Sequence, residues 1–431
     1  MSLLKRVEPE GQDSERRPRR WTIPPAPPTP LNPCEGAAIL EEVEGDLAAA
    51  LWQRLRDVLL WAATEEAKRQ GLFTSPKDAW SGLAVESQRR SGIREALQAL
   101  DSLVAAPEYA SPIAVAEACS QIAKWAEVAG FPATERLFSE AAAAVLPESA
   151  NWALAAGRAS RRSADYERGI EWFRRALALA RRQDDVVSYT LARLNRGNLE
   201  LQRGRLADAR RYFTKAWRAA KRFKLRRLGA FARHDLLVLG YEVFSFEEAH
   251  AHAEGALQLY GPRHERVPYL AHDIAFLWMH HGYFSAALPV FLELLRYIVM
   301  PNERSHVMAH IARCAAVAGD VEMASRSSDY ALRELKPSYA NSAASLLYVG
   351  RAAATMGNRR QAREIAARAL DLARTRGEKS AETLAATFLS DLRRRRGAAE
   401  HDREAPDAVL LLRARLLRRL KNIAPSPLEQ N

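Results

Sequence analysis

Cysteine is scarce in this sequence: only Cys34, Cys119 and Cys314 occur among 431 residues. Their wide spacing fits neither a disulfide framework nor a cysteine-based metal cluster, so we expect reduced thiols. Long apolar runs are missing too, because none approaches the roughly 20 residues that cross a bilayer. The amino-terminal stretch becomes charged before the apolar core of a signal peptide could form. These absences predict a cytoplasmic protein without a transmembrane segment.

Catalytic signatures are also missing. The sequence contains no GxxxxGK[ST] phosphate loop, no GxSxG nucleophile elbow and no strand-rich segment that would hold either. Neither HExxH nor CxxC occurs. His306 and His310 stand one helical turn apart, and His272 with Asp273 could add ligands, but without a metal-binding motif this set does not predict a metal site. We therefore expect no enzyme, no cofactor and no bound metal.

Positive charge is abundant, and the net charge is +12. Of the 64 basic residues, 54 are arginine, a bias that codon usage can produce together with the abundance of alanine. A nucleic acid or an acidic membrane is one class of partner that such a charge attracts. The charge alone does not select that class.

Small and aromatic residues recur with a period of about 40 residues, which is the range of stacked helical hairpins. The clearest copy combines a small residue in one helix, a glycine at the turn, and alanines around an aromatic residue in a second helix: Gly197, Gly204, Ala209, Phe213 and Ala216. The first small residue of the second helix recurs six times, at Gly169, Ala209, Ala249, Ala287, Ala324 and Ala362.

The residue types in each copy suit close helix packing. Gly157, Gly197 and Gly350 would let two antiparallel helices approach, and Phe173, Phe213 and Phe291 would fill the gap between hairpins. A tight turn favours a residue without a β-carbon. Four glycines stand five residues before the landmark small residue, at Gly204, Gly282, Gly319 and Gly357.

This pattern resembles the tetratricopeptide repeat (TPR) family, most clearly in GRASRRSADYERGIEWFRRALALA and RGNLELQRGRLADARRYFTKAWRAA. The resemblance covers roughly residues 113–380. It implies an all-α, right-handed solenoid whose first helices line a concave groove that binds peptides or protein segments. The repeats are longer than the usual 34 residues of the family, as in bacterial regulatory and scaffold-like TPR proteins.

Four regions follow from these patterns. Residues 1–35 hold eight prolines and are predicted to form a disordered tail. Residues 36–110 are predicted to form a helical N-terminal cap, with one long helix over 36–67 and another over 78–104. Residues 111–395 would form the TPR-like solenoid, with about seven repeats and a closing helix.

Residues 396–431 are predicted to hold a basic C-terminal helix, from Asp407 to Lys421, and a tail. Leucines line one face of this helix and arginines the other. We expect the leucine face to pack on the last repeat. The alternative is an amphipathic anchor that binds an anionic membrane or docks a partner.

The offset from the small residue of each first helix predicts which side chains line the groove. These candidates for partner binding are Arg158, Arg161, Arg162, Asn198, Phe231, His234, Tyr241, Tyr269, His272, Phe276, His280, His306 and Arg313. Nine of the ten histidines lie between His234 and His310. The hypothesis is a pocket of histidine and aromatic side chains with a basic wall, suited to an anionic or aromatic-containing peptide. The competing interpretation is that these side chains pack between helices.

The predicted function is a non-catalytic interaction scaffold or sensor that binds a protein or peptide segment. The alternative is a TPR-containing transcriptional regulator whose N-terminal helices contact DNA. Residues 89–103, RRSGIREALQALDSL, are similar to the recognition helix of GntR-type winged-helix regulators. That similarity implies DNA contacts by Arg90, Ser91 and Arg94, although no wing strands are predicted to follow. Neither the partner nor the oligomeric state follows from the sequence.

Overall fold

The structure is a computed structural model in which all regular elements of the described residues are helical. The described residues are 22–27, 33–73, 92–243, 245–298, 301–337, 341–394 and 400–423. Contacts divide the chain into two compact units, unit 1 ending at Leu228 and unit 2 beginning at Gly229.

Unit 1 begins with three helices that pack beside three consecutive helical hairpins. In each hairpin the second helix lies against the first, as in α4 with α5, α6 with α7, and α8 with α9. The helices are α1 (Pro33–Glu42), α2 (Asp46–Ala63), α3 (Arg94–Ala105), α4 (Pro112–Ala129), α5 (Pro132–Val145), α6 (Ala150–Arg162), α7 (Tyr166–Arg182), α8 (Val186–Gln202) and α9 (Leu206–Arg222).

Unit 2 repeats the hairpin four times and adds two helices. The hairpins pair α10 with α11, α12 with α13, α14 with α15, and α16 with α17, while α18 packs on α17. The helices are α10 (Arg226–Val243, nearly all of it in unit 2), α11 (Phe246–Tyr260), α12 (Val267–His280), α13 (Phe284–Leu294), α14 (Pro301–Val317), α15 (Val321–Glu334), α16 (Ser342–Thr355), α17 (Arg359–Arg376), α18 (Lys379–Arg393) and α19 (Asp407–Lys421).

The close approach of two helices at a glycine is clearest in the hairpin of α6 and α7. A β-carbon on Gly157 would lie 2.6 Å from the ring of Phe173, below any normal contact distance. Gly197 and Phe213 repeat this arrangement between α8 and α9. The aromatic ring therefore lies on the glycine of its own hairpin, whereas the sequence pattern assigned it to the gap between hairpins.

The predicted turn glycines are confirmed. Gly204, Gly282, Gly319 and Gly357 all have positive φ, from 71° to 87°. The same position in the turn between α6 and α7 is occupied by Ala164, whose φ is 62°. A β-carbon is disfavoured in this left-handed region, so the first of these turns forms at a conformational cost that the others avoid.

The N-terminal region differs from its sequence prediction. The single helix predicted over 36–67 is broken into α1 and α2 at Gly45, whose φ is 69°. The break places the Glu42 carboxylate at the first turn of α5, where it accepts hydrogen bonds from the backbone N–H groups of Ala133 and Thr134, both at 2.7 Å. Of the helix predicted over 78–104, residues 78–91 lie outside the described residues, and residues 94–104 are helical in α3.

Part of the proline-rich segment lies against unit 1. Residues 22–27 form neither helix nor strand, and Arg175 donates a hydrogen bond to the Pro24 carbonyl at 2.5 Å. Ile23 and Ala26 contact the apolar core of the hairpins that follow. These six residues are therefore docked, whereas composition alone predicted a disordered tail throughout 1–35.

Helix α19 has the predicted bounds but a different packing partner. Its leucine face lies on α12 and α13 rather than on the last repeat, and Leu412, Leu416 and Leu420 are fully buried there. Arg419 donates a hydrogen bond to the Gly261 carbonyl at 3.0 Å. Most of the face that a membrane anchor would need is thus covered within unit 2, although Leu410 and Leu411 stay exposed. In the described ranges, no helix combines the length and apolarity that crossing a membrane requires.

Candidate functional site

Three histidines converge between the first helices of two successive hairpins in unit 2. His272 lies on α12, and His306 and His310 lie one turn apart on α14. One ring nitrogen from each approaches the others to within 4.8 Å. The ring centroids of His306 and His310 are 4.4 Å apart, and those of His272 and His310 are 5.2 Å apart. We call this group the histidine cluster.

Asp273 orients two histidines of unit 2. One oxygen of its carboxylate lies 3.0 Å from His272 Nδ1, and the other lies 2.7 Å from His234 Nε2. Burial alone would raise the pKa of Asp273, but the hydrogen bonds donated by the two histidines, together with their charge when the rings are protonated, outweigh it and hold the pKa below its usual range. Because an ionised carboxylate only accepts hydrogen bonds, Nδ1 of His272 carries a proton, and in the neutral ring Nε2 holds the lone pair.

Ser345 on α16 orients His306 in the same way. The hydroxyl of Ser345 donates to the Asn341 carbonyl at 3.0 Å, so its oxygen accepts from His306 Nδ1 at 2.7 Å. His306 therefore also presents an Nε2 lone pair. Burial lowers the pKa of His306 to about 3, which keeps its ring neutral near neutral pH.

His310 is the least satisfied member of the cluster. It is completely buried, and neither of its ring nitrogens has a hydrogen-bond partner among the described residues. Burial is the main cause that holds the pKa of His310 well below its usual value, and the positive charge that His306 and His272 can carry lowers it further. A neutral imidazole keeps one N–H, and leaving such a group buried without a partner costs about 1–3 kcal/mol.

Aromatic rings surround His310 on several sides. The ring centroids of Tyr348, Phe291 and Phe276 lie 4.9, 5.0 and 5.4 Å from its own. This apolar shell explains why burial dominates the electrostatics of the cluster.

A carboxylate from the C-terminal segment reaches the same side of α14. Glu400 accepts two hydrogen bonds from Arg313, at 2.6 and 2.7 Å, and one from Arg351 on α16 at 3.0 Å. Burial alone would raise the pKa of Glu400, but the hydrogen bonds and charges of the two arginines outweigh it and lower the pKa. The paired planar donors of Arg313 match the two oxygens of one carboxylate.

The residues after Glu400 continue across the turn between α12 and α13. The backbone N–H of Arg403 donates to the Gly282 carbonyl at 2.9 Å, and the backbone N–H of Ser285 donates to Asp402 at 3.1 Å. The guanidinium of Arg403 lies 5.6 Å from the ring centre of Tyr283. The segment 400–406 is thus held by backbone and side-chain contacts within unit 2. We call it the C-terminal strap.

The remaining predicted residues of unit 2 divide into packed and exposed groups. Tyr241 donates to the Asp273 carbonyl at 2.8 Å and stacks edge-on against Phe276. Phe231 packs beside Tyr260 on α11. Tyr269 and His280 are exposed, with 58% of Tyr269 accessible. Contacts between helices therefore explain part of the predicted pocket lining.

The predicted basic wall lies in unit 1, whereas the histidines lie in unit 2. Arg162 is paired with Glu135, at 2.8 Å from its Nε, and with Glu127 at 3.3 Å. Asn198 is half-buried on α8, and burial lowers the pKa of Arg158. Arg161 is half-buried at the end of α6. Carboxylates of unit 1 already compensate the most exposed of these arginines.

The structure adds site residues that the predicted groove omits: His310, Ser345, Tyr348, Arg351 and Glu400. The sequence could have indicated Arg351 as a groove residue, because it directly follows the small residue Gly350 as Arg313 follows Ala312. The predicted groove residues end with Arg313 in the sixth repeat, and the equivalent position in the seventh repeat is Arg351. No sequence pattern indicates Glu400 as a site residue, because it has no position within a repeat that would relate it to α14.

The DNA-contacting set of the alternative function is mostly outside the described residues, which include neither Arg90 nor Ser91. Arg94 is exposed at the start of α3. Helix α4 follows α3, and no strand occurs in the described ranges of the chain.

No protein-family model matches this sequence, and a search of curated proteins finds no similar one. Among solved structures, Pseudomonas aeruginosa PilF is 17% identical, with 52% of this chain and 93% of PilF covered and a TM-score of 0.39. The TPR domain of P58(IPK) is 14% identical, with 71% and 98% covered and a TM-score of 0.21. A circular tandem repeat protein is 16% identical, with 90% and 89% covered and a TM-score of 0.18.

These scores are low, and the fold assignment stands on the hairpins of this chain. Seven hairpins occur in its described residues, with glycine against aromatic at Gly157 and Gly197 and left-handed turns at the predicted glycines. The chain is an all-α solenoid built from TPR-like helical repeats.

Proposed function

We propose that this protein is a non-catalytic interaction scaffold or sensor that binds an acidic protein segment on unit 2. The binding surface comprises the faces of α14 and α16 that carry Arg313 and Arg351. The observation that carries the proposal is the bidentate capture of Glu400 by Arg313, with Arg351 on the second side of the carboxylate.

The strap acts as a stand-in for the partner. Two of its three acidic residues, Glu400 and Asp402, are engaged by unit 2: Glu400 accepts from Arg313, and the Asp402 carboxylate accepts from the backbone N–H of Ser285. The strap backbone pairs with Gly282. An external segment with a glutamate flanked by polar residues can make the same contacts. Because Arg313 has only 10% of its side chain exposed, its charge is poorly hydrated and favours a carboxylate partner.

A competing segment must displace the strap, and this requirement makes the protein a sensor as well as a binder. The strap is joined directly to α19, whose leucine face covers α12 and α13. Binding of a partner to Arg313 would therefore loosen a helix whose release exposes apolar surface. The proposal includes a cytoplasmic location, which suits the two buried free thiols, Cys119 and Cys314.

The test uses a peptide copy of the strap, GAAEHDREAP, labelled with a fluorophore. We expect saturable binding, seen as fluorescence anisotropy, to the full-length Glu400→Lys variant, in which the strap can no longer pair with Arg313. Wild-type protein should bind the peptide at least about tenfold more weakly, because its own strap competes at a high effective concentration.

Two arginine variants complete the test in the Glu400→Lys background. Arg313→Gln should abolish peptide binding, whereas Arg326→Gln, which changes an exposed arginine on α15, should leave it unchanged. The proposal fails if the peptide does not bind the Glu400→Lys variant, or if binding survives the loss of the Arg313 charge.

A further inference from the structure

We propose that His272, His306 and His310 form a binding site for a divalent transition-metal ion of the zinc type. The site lies between α12 and α14 in unit 2, and its ligands are one ring nitrogen from each histidine. This inference does not depend on the proposed binding of an acidic segment.

The geometry suits a first-row metal after a small adjustment. Zinc holds imidazole nitrogens at about 2.0–2.1 Å in a tetrahedral arrangement, which places the nitrogens about 3.3 Å from one another. The three candidate nitrogens already lie within 4.8 Å of one another. Side-chain rotations that draw them together by about 1.5 Å or less complete the set. The fourth tetrahedral position is open to a water molecule or another oxygen ligand.

The outer hydrogen bonds are those of a metal site. Metal-bound histidines usually donate their second ring N–H to a carboxylate or another acceptor, which fixes the tautomer. His272 donates from Nδ1 to Asp273 and His306 donates from Nδ1 to Ser345, so Nε2 is the nitrogen that each ring has available for a metal. Two residues outside the cluster, on α12 and α16, therefore select the tautomer that a metal needs.

His310 supplies the independent observation. Its ring is wholly buried, and both of its nitrogens lack hydrogen-bond partners among the described residues, as does Nε2 of His272. Phenylalanine or leucine would fill the same apolar space between Phe276 and Phe291 without leaving a polar atom unsatisfied. A metal ion between the three rings would bind one nitrogen of His310 and Nε2 of His272, and so would satisfy two of these three nitrogens.

A metal at this site would join two repeats. His272 belongs to the hairpin of α12 and α13, and the other two ligands belong to the next hairpin. Neighbouring repeats in a solenoid contact each other through one interface, and a shared metal would add a bond across it. Metal occupancy would therefore stiffen the part of unit 2 on which the strap lies.

The test is isothermal titration of Zn²⁺ into the full-length, chelator-treated protein. We expect one high-affinity site per chain. The His310→Phe variant, which keeps the buried volume, should bind at that site at least about 100-fold more weakly. His306→Gln should weaken binding in the same way and serves as a second variant in case one of them misfolds. His281→Gln is the matched control, because it removes a histidine of unit 2 outside the cluster and should leave the affinity unchanged.

Co²⁺ provides a spectroscopic readout of the ligand geometry. The wild type should show the strong visible absorption of tetrahedral Co²⁺, and a folded His310→Phe variant should not. Circular dichroism establishes that each variant is folded. The inference is overturned if the wild type binds no Zn²⁺ at a defined stoichiometry, or if the folded cluster variants bind it as tightly as the His281→Gln control.

Discussion

A buried carboxylate in unit 1 and a buried imidazole in unit 2 differ in whether hydrogen bonds replace the hydration that each loses on burial. Glu140 has no exposed surface, and its oxygens accept hydrogen bonds from Arg168 at 2.6 Å and Trp172 at 3.1 Å. His310 is equally buried, and neither of its nitrogens has a partner in the described residues. Unit 1 compensates the Glu140 carboxylate with its own donors, whereas the described residues of unit 2 offer the nitrogens of His310 no hydrogen-bond partner.

The same contrast distinguishes the arginines of the two units. Arg162 pairs with Glu135 and Glu127, which belong to neighbouring helices of unit 1. Arg313 of unit 2 pairs with Glu400, a residue of the C-terminal strap that no hairpin contains. Glu135 and Glu127 are fixed in packed helices, whereas the proposed partner segment would replace Glu400 when the strap is displaced. Under the proposals above, the Arg162 pairs have a structural role in unit 1, and Arg313 has a role in binding on unit 2.

Removing the carboxylate of Glu140 should produce the largest loss of stability. Glu140→Ala leaves Arg168 charged and largely buried without its partner, which costs about 3–5 kcal/mol. Hydrogen exchange of the α6 and α7 amides in a urea series measures this loss in unit 1. The zinc affinity of unit 2 should stay unchanged. A loss below about 1 kcal/mol would contradict the role assigned to Glu140.

Filling the glycine contact should have a smaller effect on unit 1. Gly157→Ala forces the ring of Phe173 to move, at a cost of about 1–3 kcal/mol in the free energy of unfolding. The double variant with Phe173→Leu should lose less than the sum of the two single changes, because the smaller side chain leaves room for the added methyl group. A double-mutant cycle measures this coupling. Additive losses would show that the two positions are independent.

The strap should loosen at acidic pH. The pKa of Glu400 is lower in the folded chain than in the unfolded one, so its contribution is complete above the ordinary glutamate pKa of about 4.5 and is lost as pH falls through the folded pKa. Hydrogen exchange of the α19 amides should accelerate across this range.

Glu400→Gln provides the control for that pH series. At pH 7 the α19 amides of this variant should exchange faster than those of the wild type, because the strap loses about 1–3 kcal/mol of stabilisation. The difference in exchange rate between the two proteins should shrink below pH 4. An equal pH response in both proteins would exclude Glu400 as its source.

The smallest expected effect concerns the turn between α6 and α7. Ala164→Gly should stabilise unit 1 by about 0.5–1 kcal/mol, because glycine adopts the left-handed conformation without the cost of a β-carbon. Ala155→Gly, inside α6, is the matched control and should destabilise by about 1 kcal/mol. Thermal unfolding of both variants checks the opposite signs. Destabilisation by Ala164→Gly would show that no strain resides at this turn.

The repeat pattern predicted the hairpins and their turns because these depend on local sequence. The residue type alone predicts left-handed turns at Gly204 and at the three equivalent glycines, Gly282, Gly319 and Gly357. Ala164 occupies the same repeat position without that signal, since neighbouring helices impose the conformation. Gly45 falls inside the helix predicted over 36–67, because a single glycine in an apolar periodic stretch is compatible with a helix break and with a position inside a helix.

Long-range contacts account for what the sequence did not predict. The leucine face of α19 predicted burial, but an amphipathic pattern does not say which surface covers it. The spacing of His306 and His310 placed both on one helical face. Their meeting with His272 depends on how two hairpins stack, and the free nitrogens depend on Asp273 and Ser345. Sequence periodicity therefore identified the region of the site but not its ligand atoms.

The most direct test of the account is anomalous X-ray diffraction at the zinc edge from crystals of the full-length protein grown with Zn²⁺. The account predicts one strong peak in unit 2, about 2.0–2.1 Å from Nε2 of His272, Nε2 of His306 and one ring nitrogen of His310. No peak between these three rings, in crystals that bind zinc elsewhere, would contradict the claim that unit 2 holds its buried histidines for a ligand.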